Sequence, residues 1–308
     1  MAVMTNTHST PLRADDNIVS AFQIDGQPIR GRILRAGGAI DAALAGHNYP
    51  ESVARLLGEA MCLGAVVASA LKFDGRLLVQ CHGTNKGAVS MLIADCGTNG
   101  DLRAYARFDD DALARILAEH SHPTAHQLLG GGTFAMTIDQ GPDMDRYQGL
   151  AAIEGDNLSA CAEHYFAQSE QVPTRIKLSV GQVVTPEEGA KWRGAALMIQ
   201  QVAGDAARGE TGEAWETAQA LFGTVGDAEM LDPDVDVQTL LYRLFHEDGV
   251  RVTEPTTIRA HCSCSRKRLI TTLTSFGEAE RKTMYEDGVI SANCDFCGSQ
   301  YAFTPDDF

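Results

Sequence analysis

Four cysteines near the end of the chain are the residues whose types and spacing most clearly predict chemistry. They form a CxC pair, Cys262 and Cys264, and a CxxC pair, Cys294 and Cys297, with 29 residues between the pairs. Two close pairs of thiolates can place four sulfurs tetrahedrally around one ion, and Zn²⁺ favours this shell at structural sites. The spacing therefore predicts one Zn²⁺ per chain, bound by these four cysteines.

Three other chemistries use four cysteines and have to be weighed against zinc. Two structural disulfides are typical of secreted proteins, an iron–sulfur cluster also takes four thiolates, and a redox-active CxxC belongs in a βαβ unit. The N-terminus lacks the charged-then-apolar pattern of a secretory signal, and no βαβ pattern surrounds Cys294. Zinc is favoured, but a CxC pair can also close a small disulfide, so an oxidant could make this site lose its metal.

The remaining cysteines and the charge of the chain narrow the function classes. Cys62, Cys81, Cys96 and Cys161 are scattered through apolar segments and are predicted to be buried core residues. The formal net charge of −16 argues against tight binding to nucleic-acid phosphates. No apolar run approaches the length that spans a membrane, so we expect a cytoplasmic protein with reduced thiols.

The sequence divides into four parts. Residues 1–16 are polar and predict a disordered tail, and residues 17–203 predict the core domain. Residues 204–256 predict an acidic, metastable helical linker, and residues 257–308 predict a small zinc-binding domain.

Residues 17–203 show short alternating or apolar runs that are separated by glycine-containing turns. The strands are predicted at residues 76–82, 88–95, 101–107, 133–139, 147–154, 175–180 and 195–201. A long buried helix is predicted from Glu51 to about Lys72, and a shorter one from Asn157 to about Gln168 with Asp156 as N-cap. Runs of strands with segregated helices predict an α+β fold, with a core of antiparallel sheets and helices.

The linker combines negative charge with an apolar stripe. Residues 205–254 carry 12 acidic and 3 basic residues, and Leu240, Leu241, Leu244 and Phe245 recur at helical spacing. Glycines and a proline break the pattern into pieces that are too short to be stable as isolated helices. We therefore expect the linker to be helical only while this stripe rests on a neighbouring surface, and to offer the stripe to client proteins once it detaches.

Two weaker motifs predict no active site. His120, His122 and His126 lie in a segment predicted to be an exposed loop, without a cysteine or carboxylate partner. Gly130-Gly131-Gly132 is not followed by Lys-Ser/Thr and predicts a turn before a strand, not a phosphate-binding loop. No catalytic residues are predicted, and the chain is not expected to be an enzyme.

Several motifs occur together in an order typical of one known family. At the C-terminus these are Cys262-Ser263-Cys264-Ser265, Arg268, Glu286-Asp287-Gly288, Cys294-Asp295-Phe296-Cys297, Tyr301 and Phe303. Upstream they are Asn48-Tyr49-Pro50, Leu71-Lys72-Phe73, Arg146-Tyr147-Gln148-Gly149, Tyr165-Phe166, Pro173-Thr174-Arg175 and Leu241-Tyr242-Arg243-Leu244-Phe245-His246-Glu247. Over nearly its whole length the chain resembles the heat-shock protein 33 family of redox-regulated holdase chaperones. Lys267 departs from the family pattern, which usually has Glu there.

The resemblance implies a switch. Reduced protein would hold Zn²⁺ on the four cysteines, and hypochlorite or peroxide would form the disulfides Cys262–Cys264 and Cys294–Cys297. Zinc would then leave, and the C-terminal domain and linker would unfold, because a domain of about fifty residues buries too little apolar surface to fold without its metal. The resemblance also implies ATP-independent binding of unfolded clients, a homodimer when oxidised, and transfer of clients to an ATP-dependent Hsp70-type system.

Two hypotheses from other classes stay open. A zinc-ribbon regulator that binds nucleic acid would need a basic stripe, for which only Arg266, Lys267 and Arg268 are candidates. A thiol oxidoreductase would use Cys294 and Cys297 catalytically and would turn over a disulfide substrate.

Overall fold

The computed structural model describes residues 16–72, 74–141, 144–186, 189–203 and 211–308. Residues 1–15 of the predicted tail and residues 204–210 of the predicted linker lie outside the described residues. Within the described ranges the chain forms two six-stranded sheets, a two-stranded sheet and segregated helices. The predicted α+β class is confirmed.

The first sheet is antiparallel throughout and has the order β10-β1-β2-β9-β8, with β11 also paired to β1. Its strands are β1 (Ile18–Ile24), β2 (Ile29–Ala36), β8 (Thr174–Thr185), β9 (Gly189–Gln201), β10 (Val250–Val252) and β11 (Thr256–Thr257). Both faces of this sheet are apolar: Ile33 and Leu197 belong to one buried cluster, whereas Leu34 and Ala196 belong to another. A sheet of this kind is stable only when both faces are covered.

The second sheet has the order β12-β5-β4-β3-β6-β7, and only its β12–β5 pair is parallel. Its strands are β3 (Arg76–His82), β4 (Val89–Gly97), β5 (Asp101–Phe108), β6 (Thr133–Asp139), β7 (Tyr147–Ala152) and β12 (Arg259–Ala260). The strand predictions are confirmed to within a few residues, although β8 and β9 extend well beyond the predicted ranges as a long hairpin.

The helix α2 (Glu51–Ala68) packs between the two sheets, and 14 of its 18 residues are buried. It ends four residues before the predicted Lys72, at the C-cap Ser69, whose hydroxyl donates to the carbonyl of Val66. Close packing is possible because small residues line its surface: a Cβ added at Gly58 would lie 2.6 Å from Val180. The helix and the facing sheet surfaces form the main core of the protein.

Four other helices surround this core: α1 (Gly38–Ala45), α3 (Asp110–Glu119), α4 (Ala125–Leu129) and α5 (Leu158–Tyr165). The prediction of Asp156 as the N-cap of α5 was wrong by one residue, because the side chain of Asn157 accepts from the amide of Ala160. A π-helical turn, Phe166–Glu170, continues α5. The sequence pattern did not predict α3, which buries only Leu113. It also did not predict α4, whose five residues lie in the region expected to be a loop.

The predicted linker forms three short helices, α6 (Thr211–Phe222), α7 (Asp227–Leu231) and α8 (Val237–Phe245). They lie on the face of the first sheet that α2 does not cover. Leu241 is fully buried there, and the ring of Phe245 lies 5.9 Å from that of Phe22 on β1. The stripe Leu240, Leu241, Leu244 and Phe245 therefore rests on a neighbouring surface, as the sequence predicted.

Core side chains also donate hydrogen bonds to the linker. Arg35, which is 3% exposed, donates to the carbonyls of Val235 and Asp232 between α7 and α8. Arg193 donates to the carbonyl of Leu231 at 3.1 Å, and the hydroxyl of Ser179 donates to Asp227 at 2.8 Å. These bonds fix the two shorter linker helices on the sheet.

The C-terminal region contains α9 (Arg266–Ser275), α10 (Glu278–Thr283) and the antiparallel hairpin of β13 (Ile290–Asn293) and β14 (Gln300–Phe303), followed by a 3₁₀ turn, Pro305–Asp307. In residues 261–308, all of which are described, the buried apolar side chains are Ile290 and Phe303. Neither α9 nor α10 has a buried residue. A core of this size is too small to hold the region together by hydrophobic packing.

Candidate metal centre

The four cysteines come together at one point from two separate turns. Cys262 and Cys264 lie between β12 and α9, and Cys294 and Cys297 lie in the β13–β14 turn. The Sγ atoms of all four lie within 4.8 Å of one another. The Cys262–Cys294 sulfurs are 3.6 Å apart, and the Cys264–Cys297 sulfurs are 3.4 Å apart.

Local hydrogen bonds explain why each turn presents its sulfurs on one side. The amide of Cys294 donates to the carbonyl of Ser299 at 2.9 Å, and that of Gly298 donates to Cys294 at 2.8 Å. Gly298 has φ +69°, a left-handed conformation that glycine adopts without strain. Ser265 caps α9 by accepting from the amide of Arg268, so the helix starts directly after the first cysteine pair.

The donor set fits a tetrahedral zinc ion. Four ligands with Zn–S distances near 2.3 Å place the sulfurs about 3.8 Å apart, close to the separations in this cluster. The thiolate is the soft ligand that Zn²⁺ accepts in closed structural sites. Within the described part of the chain, these four cysteines are the group of histidine, cysteine or acidic residues that could hold a metal ion.

Cys264, Cys294 and Cys297 have shifted pKa values. Burial raises the pKa of Cys297, but hydrogen bonding with Ser299 and with the neighbouring sulfurs outweighs it and lowers the pKa to about 6. Burial raises the pKa of Cys294 to about 12, and it also raises the pKa of Cys264. The hydroxyl of Tyr301 lies 3.2 Å from the sulfur of Cys264, and this hydrogen bond raises the pKa of Tyr301 to about 12. Of these three thiols, Cys297 ionises most readily, and the thiolate is the form that binds a metal and reacts with oxidants.

A cation approaches the cluster from the core. Arg103 on β5 lies with Nη1 3.7 Å from the sulfur of Cys262, and its guanidinium lies 4.2 Å from the ring centroid of Phe296. The sequence does not indicate this residue, because the basic residues next to the first cysteine pair along the chain are Arg266, Lys267 and Arg268. In the structure Arg266 pairs with Asp307 at 2.7 Å, and Arg268 donates to the carbonyl of Ser263. A lone arginine on a strand has no sequence signal that would connect it to a distant cysteine.

The weaker motifs and the isolated cysteines have structural surroundings, as expected. His126 lies in α4, with Nδ1 3.0 Å from the carbonyl oxygen of Ile153. Gly130 ends α4 in the left-handed conformation and begins the turn that leads to β6, as predicted. The isolated cysteines Cys62, Cys81, Cys96 and Cys161 are all buried, and burial raises the pKa of each. The prediction that they belong to the core is confirmed.

The helices that the structure describes include none that is both long enough and apolar enough to cross a bilayer.

Comparisons of the sequence with known proteins point to one family. A family model described as "Hsp33 protein" matches residues 16–304. A 33 kDa chaperonin of Caulobacter vibrioides is 52% identical over 291 residues, which cover 94% of this chain and 95% of the relative. A 33 kDa chaperonin of Pseudomonas paraeruginosa is 36% identical over 290 residues, covering 93% and 91%.

A solved structure has the same fold. The crystal structure of the 33 kDa chaperonin (heat shock protein 33 homolog) of Thermotoga maritima superimposes with a TM-score of 0.75 over 94% of this chain and 96% of that one, at 19% identity. The family model and the two chaperonin relatives cover almost the whole described chain. The chain therefore belongs to the Hsp33 family.

Proposed function

We propose that this protein is a redox-regulated, ATP-independent chaperone that holds unfolded polypeptides after its C-terminal cysteines are oxidised. The family and the chaperonin names of its relatives support a chaperone, not an enzyme. The redox regulation is inferred from one observation. Along the chain, a cluster of four oxidisable thiols directly follows a linker whose apolar side chains cover an apolar sheet face.

In the reduced state Cys262, Cys264, Cys294 and Cys297 would hold one Zn²⁺. The ion would supply a cross-link between the two cysteine turns, which a region with two buried apolar side chains cannot replace by packing. The docked linker then keeps the stripe Leu240, Leu241, Leu244 and Phe245 away from solvent. This state would have little surface for clients.

Oxidation would remove the ligands. A thiolate attacks peroxide, the O–O bond breaks, and a sulfenic acid and a hydroxide ion form, after which the hydroxide takes up a proton to give water. The second thiol of the pair displaces a second water and closes the disulfide, so that one peroxide oxidises two thiols. We infer the pairs Cys262–Cys264 and Cys294–Cys297, which are local in sequence. Such short loops restrict the unfolded chain little and do not replace the lost cross-link.

Unfolding of the C-terminal region would reach the linker through residues 250–260. In this stretch β10 and β11 pair with β1, and β12 pairs with β5, so a single segment is bonded to both sheets. These strands are two or three residues long, and all their residues are exposed except the partly buried Val250 and Ala260. Pairs this short are stable only while the flanking elements stay docked.

Detachment of the linker would create two client surfaces. One is the helical stripe on α8, and the other is the sheet face beneath it, which includes Phe22, Ile33 and Leu197. Apolar surfaces of this kind bind exposed hydrophobic segments of unfolded proteins without a nucleotide. A homodimer of the oxidised form and transfer of clients to an Hsp70-type system belong to the same proposal, as does a cytoplasmic location, where thiols are kept reduced.

Light scattering of a thermally unfolding test protein tests the proposal. The reduced, zinc-loaded protein and the peroxide-treated protein are compared while a chromogenic chelator reports zinc release. Suppression of aggregation only by the oxidised form, in proportion to zinc release, is the expected result. Cys294→Ser should abolish the redox response, whereas Cys161→Ser, a buried cysteine outside the cluster, should retain it. No suppression by either form, combined with a salt-dependent shift on nucleic acid, would favour the nucleic-acid alternative.

A further inference from the structure

The contact between the cysteine centre and the core converges on one side chain, Arg103. Its Nε donates to Asp95 Oδ2 at 2.8 Å, its Nη1 lies 3.7 Å from the sulfur of Cys262, and its guanidinium lies over the ring of Phe296 at 4.2 Å. One core residue therefore touches both cysteine turns, since Cys262 belongs to the first pair and Phe296 lies inside the second.

The guanidinium of Arg103 is held in place by the buried carboxylate of Asp95. Asp95 is 3% exposed and lies directly opposite Arg103 in the β4–β5 ladder. Asp95 also pairs with Arg76 on β3, so a single buried carboxylate serves two arginines. The two arginines share this carboxylate, and the guanidinium of Arg103 also faces the sulfur of Cys262. A cation beside a thiolate cluster favours its anionic form.

The second cysteine turn fits the core at close range around the same point. The ring of Phe296 makes an edge contact with Tyr105 at 4.9 Å, and Nε2 of His47 lies 3.3 Å from the carbonyl oxygen of Phe296. A Cβ at Gly46 would lie 3.1 Å from the carbonyl oxygen of Cys297. Phe296 is thus seated between the guanidinium and an aromatic ring, an arrangement in which a cation–π contact adds to apolar packing.

We propose that Arg103 is the positioning residue that docks the cysteine centre on the core and couples its oxidation state to the linker. This inference rests on the proposed function and adds the contact through which oxidation of the cysteines would act on the linker. While the sulfurs are thiolates, Arg103 attracts Cys262 and holds Phe296 in place. A disulfide carries no charge, so oxidation removes the attraction and distorts the turn that presents Phe296.

Loss of the Arg103 contacts would reach the linker through the short strand pairs before Cys262. The amide of His261, next to Cys262, donates to the carbonyl of Leu102 at 2.9 Å, beside Arg103 on β5. This bond closes the short β12–β5 pair, and β11 and β10 precede it in the chain. When Arg103 no longer holds Cys262, these short pairs lose their C-terminal anchor and open toward α8.

Three substitutions test the docking role. Arg103→Met removes the charge and both hydrogen bonds while leaving Asp95 paired with Arg76. Phe296→Leu leaves the Arg103–Asp95 pair intact and removes the cation–π contact together with the ring contact to Tyr105. Arg107→Met is the matched control, because Arg107 lies on the same strand and approaches the same turn at Asp295, but at 4.0 Å with both side chains about two-thirds exposed.

The first readout is hydrogen exchange of the segment 259–264 in the reduced, zinc-loaded full chain, which requires no oxidant. We expect hydrogen exchange to be about tenfold faster in Arg103→Met, because this variant loses the contacts with both cysteine turns. The increase should be smaller in Phe296→Leu, because this variant keeps the contact between Arg103 and Cys262. Arg107→Met should exchange like the wild type. The second readout is zinc release to a chelator at a fixed peroxide concentration, which should accelerate in the same order.

Equal exchange and equal zinc release in Arg103→Met and Arg107→Met would overturn the docking role and leave the proposed function intact. Conversely, a wild type that releases no zinc and holds no client after oxidation would refute the proposed function. The exchange comparison in the reduced protein would still decide whether Arg103 docks the cysteine centre.

Discussion

Leu241→Ala is expected to weaken the linker's hold on the first sheet without changing the cysteine centre. Leu241 is fully buried in the cluster between α8 and the sheet, and this buried cluster includes none of the four cysteines. Truncation of a buried leucine costs about 2–5 kcal/mol, and partial collapse of the linker onto the gap favours the lower end. A cost of about 2–3 kcal/mol raises the detached fraction of the linker about 30–150-fold.

Hydrogen exchange of residues 237–245 in the reduced, zinc-loaded protein measures this directly. Exchange through linker opening should accelerate by the same factor, and the reduced variant should partly suppress aggregation of a test protein without oxidation. Tyr242→Ala is the control, because Tyr242 is the neighbouring residue on α8 and its side chain is 65% exposed. Unchanged exchange in Leu241→Ala, or an equal increase in Tyr242→Ala, would show that burial of the stripe does not hold the linker.

Three further outcomes are expected. Burial raises the pKa of Glu59 to about 7, although the amide of Leu158 partly offsets this. The folded-state pKa exceeds the unfolded one, so its contribution to stability is present below about pH 4.5 and lost as the pH rises through 7. Glu59→Gln should therefore unfold in urea with up to about 3 kcal/mol more stability than the wild type at pH 8, and the gain should fall below about 1 kcal/mol at pH 5 and vanish near pH 4. Removal of zinc with a chelator should abolish exchange protection in residues 290–303 and preserve it in α2, and loss of both would contradict a separately stabilised C-terminal region. Gly149→Ala should lower the melting temperature, because its Cβ would lie 1.9 Å from the ring of Tyr165, and an unchanged melting temperature would mean that this ring can move.

The sequence predicted the features that depend on local spacing. The residues of the stripe from Leu240 to Phe245 recur at helical spacing, so they form one apolar face of a helix regardless of which surface covers it. Their burial therefore followed from the sequence pattern. The CxC and CxxC pairs each place two sulfurs on one turn, so their convergence could be inferred before any fold was known. Strand ranges such as Arg76–His82 and Thr133–Asp139 were correct because alternation and glycine turns mark them locally.

Weak local signals explain the missed helices and the shifted cap. A helix such as α3 that buries one side chain has almost no apolar periodicity to detect. For α4 the capping box from Thr124 to Gln127 was a usable signal, but the surrounding histidines and Pro123 favoured a loop interpretation. Asp156 and Asn157 are both good N-cap residues, and only the observed bond to Ala160 distinguishes them.

Only the tertiary structure decided how the parts are connected. The sequence by itself determined that an apolar helical stripe and a four-cysteine cluster exist, because both are periodic or closely spaced along the chain. It did not determine that the stripe covers the second face of a sheet containing Ile33 and Leu197, or that residues 250–260 pair with both sheets. Nor did it place Arg103 against Cys262 and Phe296. Most of these contacts join residues more than 150 positions apart, and they form where a sheet edge and an uncovered face become available in the folded core.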